Sequence, residues 1–171
     1  MPLVGTNNII QKQVLNANNL VTTNPGSSFQ ELNSAFRLSI TPKFSNSLIF
    51  LEYFIPLNQS TSGHNNIFGF SGYRYAPSEA NLDSRGQSSG SRKRFAGGNI
   101  RAQNGYDHND HNLEYFIEYD SPATTSTCTY GFQVYQEGSD SGTIYIAHSQ
   151  GNNSTWGMSS RVIITASEIK Q

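Results

Sequence analysis

The stretch Phe36-Arg37-Leu38-Ser39-Ile40-Thr41-Pro42-Lys43-Phe44-Ser45-Asn46-Ser47-Leu48-Ile49-Phe50-Leu51-Glu52-Tyr53-Phe54-Ile55 holds two apolar runs joined by a short polar turn. In the first run Phe36, Leu38 and Ile40 alternate with Arg37, Ser39 and Thr41, the two-residue period of a β-strand with one buried face. Pro42 and the polar Ser45-Asn46-Ser47 interrupt the pattern. The second run, Leu48 to Ile55, is apolar at nearly every position, which predicts a strand covered on both faces. A second sheet of the same domain supplies one cover. The other must be a loop or a neighbouring subunit, so Leu48, Phe50, Leu51, Tyr53 and Phe54 are the expected subunit-interface residues. The linker between the runs is short enough for an antiparallel connection.

Composition extends this reading to the whole chain. Charged residues are 13% of 171, about half the share of an average domain, while aromatics reach 12%. No amphipathic stretch is rich in the Glu, Lys, Ala and Leu that favour helices, so an all-β protein is expected. The length suits one domain with an ordinary core. The single cysteine, Cys128, excludes an intrachain disulfide and falls in an alternating run that would bury it. A net charge of −1 gives no whole-molecule attraction for nucleic acid, and no apolar segment approaches the roughly 18 residues of a membrane span. Neither nucleic acid nor membrane is an expected partner, and the N-terminus lacks the pattern of a signal peptide.

Taken in order, residues 1–8 read as a polar N-terminal arm and 9–171 as one β-sandwich domain, jelly-roll-like, with about eight antiparallel strands. Ile9 to Leu15 is a weak strand. Asn24-Pro25-Gly26 marks a loop before the central pair. Ile67 to Tyr75 alternates with Gly and Ser, and residues 76–112 form one long loop excursion containing a short Phe95 to Ile100 segment. Leu113, Tyr115, Ile117 and Tyr119 share a face of the next strand, and Cys128, Tyr130, Phe132 and Val134 share the buried face of the one after. A turn at Glu137 to Gly142 predicts a hairpin to Thr143–Ala147, and the last strand runs from about Met158 to Ile169. First and last strands can sit side by side in such folds.

Three segments stand out together. The first is Phe29-Gln30-Glu31-Leu32 followed by Leu38-Ser39-Ile40-Thr41-Pro42-Lys43 and Ser45 to Leu51. The second is Tyr119-Asp120-Ser121-Pro122-Ala123 running on to Tyr130, and the third is Trp156 with Ser159 to Ile169, closing on Glu168-Ile169. Together they resemble a family of small β-domain proteins of tailed bacteriophages, cyanophage-like and aquatic, described as tail-fibre-like or virion proteins. The resemblance implies an oligomeric virion component, a homotrimer in the expected form, with no catalytic residues to carry over. It implies capsid decoration or a small tail or neck component, assembled in the host cytoplasm and located in the virion, with other capsid or tail proteins as partners. The alternative is a tail-fibre tip that recognises a host surface glycan.

The remaining motifs are weighed against that expectation. Asp107-His108-Asn109-Asp110-His111 crowds His108, His111 and two carboxylates into a Gly- and Asn-rich loop, but the spacing supplies at most half of a zinc site. A solvated loop is expected there, with no metal and no cofactor. Arg92 and Arg94, with neighbouring basic residues, could pair with acidic patches or phosphate. Together with Tyr106 and Trp156 they are the expected exposed loop or ligand contacts, and Tyr73 and Tyr75 are further surface aromatics. No nucleophile elbow or paired-carboxylate motif stands out, so an enzyme is not expected.

Overall fold

The alternating runs become eleven strands among the residues that the computed structural model describes, 8–61, 67–82, 94–101, 112–137, 142–149 and 159–171. They are β1 (Ile9–Ala17), β2 (Val21–Thr23), β3 (Leu38–Ile40), β4 (Leu48–Thr61), β5 (Ile67–Ala76), β6 (Ala80–Asn81), β7 (Gly97–Arg101), β8 (Asn112–Asp120), β9 (Cys128–Glu137), β10 (Gly142–Ile146) and β11 (Val162–Ile169). A six-stranded sheet has the order β1-β11-β4-β10-β2, with β8 also paired to β4. A five-stranded sheet has the order β3-β9-β5-β6, with β7 also paired to β5. Every strand pair is antiparallel, and the two sheets face each other as a sandwich.

The core lies between the layers because the inward faces of the long strands β4, β5 and β9 are apolar. Ile49, Leu51, Tyr53, Ile55 and Leu57 of β4 meet Phe68 and Phe70 of β5 and Tyr130, Phe132 and Val134 of β9 in one buried cluster. Tyr53 stacks on Phe116 at 4.6 Å between ring centroids and meets Phe132 edge-on at 6.5 Å, geometries that aromatic quadrupoles favour. Cys128 is fully buried in the same cluster, as its alternation predicts.

Chain ends and turns are organised by pairing that crosses long sequence distances. β1 and β11 are neighbours, in register from Gln11 opposite Glu168 to Ala17 opposite Val162, with a shift of register between Gln11 and Ile9, which lies opposite Ile169. The Glu168 side chain, buried, points toward the turn between β3 and β4. Its Oε1 accepts hydrogen bonds from the Lys43 and Phe44 amides at 2.7 and 3.2 Å and from the Ser47 hydroxyl at 2.6 Å, while Oε2 accepts from Gln11 Nε2 at 2.6 Å. One carboxylate therefore ties both terminal strands to the turn that carries the chain from one sheet to the other.

That turn differs from the sequence expectation. β3 pairs with β9 in the five-stranded sheet while β4 lies in the other, so the linker crosses between layers and forms no hairpin. The same holds for β9 and β10, which also belong to different sheets. Linker length alone does not distinguish a hairpin from an inter-sheet crossing. Phe36 belongs to a 3-10 turn, Ser34–Phe36, whose start is capped by the Asn33 side chain accepting from the Ala35 amide at 2.8 Å. It is nonetheless buried and stacks on Phe132 at 5.5 Å. Within residues 76–112 the chain returns to the sheet twice, as β6 and β7 beside β5, where a single loop excursion is expected. Short strands rich in Gly and Asn carry too little alternation to be seen.

Candidate functional site

β8 is the strand that sets the site. Its alternation puts Phe116, Glu118 and Asp120 on the inside and Leu113, Tyr115, Ile117 and Tyr119 on the outside, so its more apolar face is turned away from the core. Leu113 is 60% exposed, Tyr115 50% and Tyr119 39%. The inward acids are accommodated by specific partners. Glu118 is fully buried and its Oε1 accepts the Gly72 amide at 3.0 Å, in a space where a Cβ on Gly72 would lie 2.6 Å from Glu118 Cγ. Asp120 Oδ2 accepts from Arg74 Nη1 at 2.7 Å and from the Tyr130 hydroxyl at 2.8 Å. Burial, followed by the Asp120 charge and that hydrogen bond, pushes the Tyr130 phenol far above its ordinary value. β8 is thus fixed in this orientation from the inside.

β4 next to it shows the same division. Leu51 and Tyr53, expected at a subunit interface, point into the sandwich and have no exposed surface, so they belong to the core. The Tyr53 hydroxyl donates to the Gly131 carbonyl at 3.1 Å across the two sheets. Leu48, Phe50 and Phe54 alternate with them and lie half-buried on the outer face. The expectation that both faces of β4 are covered therefore holds only for one in the single chain. Continuous apolarity records two environments, and strand period sorts the residues between them.

Outer-facing residues of four neighbouring strands form one surface. Phe50 meets Tyr119 at 5.2 Å and Phe54 meets Tyr115 at 4.7 Å, cross-strand aromatic pairs set by the β4–β8 register. On the other side of β4 come Ile163, Thr165 and Ser167 of β11, then Val14 of β1, which is 56% exposed. Glu52 is the acidic group among the β4 residues facing this surface. Thr165 Oγ1 donates to its Oε2 at 2.8 Å, the Tyr115 hydroxyl to its Oε1 at 3.4 Å, and Lys12 Nζ lies 3.9 Å from Oε2. The face is therefore apolar with its central charge internally partnered. Scattered exposed apolar side chains are ordinary, but a contiguous patch marks an interaction surface.

The loop candidates do not join this surface. Arg94 is exposed in the short segment before β7. Arg92, Tyr106, Trp156, His108 and His111 lie outside the described residues. Among the described residues no group of three or more His, Cys, Asp or Glu side chains is gathered for a metal. Tyr73 and Tyr75 meet edge-on at 4.8 Å, and the Arg37 guanidinium sits 4.0 Å over the Tyr75 ring while forking onto both Glu31 carboxylate oxygens at 2.7 Å. Arg37 thus occupies one face of the Tyr75 ring. The sequence signal that could have located the outer surface is the alternation Leu113-Glu114-Tyr115-Phe116-Ile117-Glu118-Tyr119-Asp120, once Arg74 and Gly72 are recognised as partners for the acids.

Fold and surface together define a two-layered antiparallel β-sandwich with an open apolar face on its six-stranded sheet. Sequence comparison with protein-family models and with curated proteins gives no match.

Proposed function

We propose that this chain is a non-catalytic structural protein of a tailed-phage virion, a β-sandwich subunit that works by assembling with further copies and with other capsid or tail proteins. The observation that carries the reading is the orientation of β8, which turns Leu113, Tyr115 and Tyr119 to solvent while its acids are held inside. A strand arranged that way has its apolar surface available for another protein. The phage assignment rests on the resemblance of the three sequence segments. In support of their grouping, two of them are joined by Glu168 bonded to the Lys43–Ser47 turn, and the ends of the second by Asp120 bonded to Tyr130. The role is capsid decoration or a small tail or neck component, assembled in the host cytoplasm.

The test is rebinding. Virions depleted of this protein, mixed with the purified chain and sedimented, are expected to recover it in stoichiometric amount on capsids or tails. Purified protein that associates with neither, but adheres to host cells and is released by host surface sugars, would replace this reading with glycan recognition.

A further inference from the structure

We infer that Thr22 and His148 form a nucleophile–base pair, and that Thr22 is a site of covalent acylation by activated esters or thioesters of carboxylic acids. This chemistry lies beyond the proposed assembly role and does not depend on it. Thr22 Oγ1 lies 3.0 Å from His148 Nε2, and His148 Nδ1 lies 3.0 Å from the Ser149 carbonyl oxygen. A carbonyl oxygen only accepts, so Nδ1 carries the proton of the neutral ring and Nε2 offers its lone pair to the Thr22 hydroxyl. A hydroxyl, a base and a third group that fixes the base's tautomer are the parts of an activated nucleophile.

The backbone brings the two side chains together. In the β2–β10 pairing Thr22 lies opposite Tyr145, whose neighbours on β10, Ile144 and Ile146, are buried in the core. Thr22 and Tyr145 therefore share the outward face, and Thr22 is exposed. Continued alternation would send His148 inward beside Ile144 and Ile146. Ala147 breaks the alternation because it is left-handed, at φ 64°, a conformation that is costly for alanine. The Ala147 amide donates to the Pro56 carbonyl and the Ala147 carbonyl accepts from the Ser160 amide, both at 2.8 Å, so the kink is held from two sides. The imidazole that it delivers is 6% exposed and meets the Tyr145 ring edge-on at 5.4 Å. The base is shielded, while the residue whose hydroxyl it faces is open to solvent. An electrophile from solution reaches Thr22 before His148.

In the reaction the Thr22 oxygen bonds to the acyl carbon as its proton passes to His148 Nε2. The tetrahedral intermediate then expels the alcohol or thiol, which takes that proton back from Nε2. The products are an acyl-threonine ester and the free alcohol or thiol, and nothing is oxidised or reduced.

The full chain treated with p-nitrophenyl acetate tests this, with release of p-nitrophenol followed by absorbance and the acetylated residues identified by mass spectrometry. A single fast equivalent is expected, with the acetyl group on Thr22, formed about a hundred-fold faster than on the other threonines, the low end of what a positioned base supplies. Thr22→Ser is expected to keep the fast phase, and Thr22→Val, which conserves shape on a strand, to lose it. His148→Gln keeps a hydrogen-bonding group but no base and is expected to slow the reaction about a hundred-fold. Circular dichroism and melting serve as controls for the fold. Acetylation of wild-type Thr22 no faster than that of other threonines, or a fast phase that persists in folded Thr22→Val or His148→Gln, overturns the inference. If His148→Gln does not fold, the Thr22 variants decide: a fast phase kept in the serine variant and lost in the valine variant supports the pair, and one present in both overturns it. A Thr22→Val variant that only melts earlier, beside a wild type that is never acetylated at Thr22, overturns it and assigns the hydrogen bond to fastening β2.

Discussion

Glu168 shows how one side chain can be buried and ionised together. Burial raises its pKa, but the Ser47 hydroxyl, Gln11 amide and Lys43 and Phe44 backbone N–H groups outweigh that and hold it below the ordinary 4.5. A lowered folded-state pKa stabilises the fold at pH above the unfolded value, and that contribution is lost as pH falls through the folded value. Glu168→Gln is therefore expected to cost about 2 kcal/mol near neutral pH, by weakening charged hydrogen bonds and turning an amide donor toward others. The gap from wild type should shrink below about pH 4, as urea titrations at pH 7 and pH 3 would measure. A gap equal at both would mean that the carboxylate's charge contributes nothing. Gly72 is the other decisive residue. Gly72→Ala places a methyl 2.6 Å from Glu118 Cγ and is expected to destabilise by about 2 kcal/mol in the same assay. Neither role could be read from the sequence, where Glu168 looks like a polar position in a terminal strand and Gly72 like one of several strand glycines.

At the scale of the strand, β8 and β4 show what alternation conveys. Period two correctly grouped Leu113, Tyr115, Ile117 and Tyr119 on one face, and Cys128, Tyr130, Phe132 and Val134 on another, yet only the second group is the inward one. What decides between them is a set of distant partners: Arg74 for Asp120 and the Gly72 amide for Glu118. For the same reason Leu51 and Tyr53 could not be separated from Phe50 and Phe54 when the whole run was apolar. The Arg74–Asp120 pair is largely buried, with 12% of each side chain exposed, so removing one partner leaves an uncompensated charge. Arg74→Met is expected to cost about 3 kcal/mol, and adding Asp120→Leu to recover part of that, read as a double-mutant cycle from chemical unfolding. Additive losses in the cycle would show that the pair does not fix the strand.

At the scale of the molecule, class and layering were legible because they depend on composition and period, and both are spread over the chain. Low charge, abundant aromatics and repeated two-residue alternation pointed to a sandwich, and adjacency of the terminal strands followed the habit of such folds. Which strands share a sheet was not legible. The turns at Thr41–Ser47 and after Glu137 look like hairpin connections but carry the chain between layers. The open face was legible only in part, since its members come from β1, β4, β8 and β11, far apart in sequence. The central claim is that this face is where the molecule meets its own kind. Its most direct test is the light-scattering mass of the wild-type protein across a concentration series. The account predicts a rise from 18.9 kDa to a multiple of that value as concentration increases, and a mass of 18.9 kDa at every concentration would contradict it.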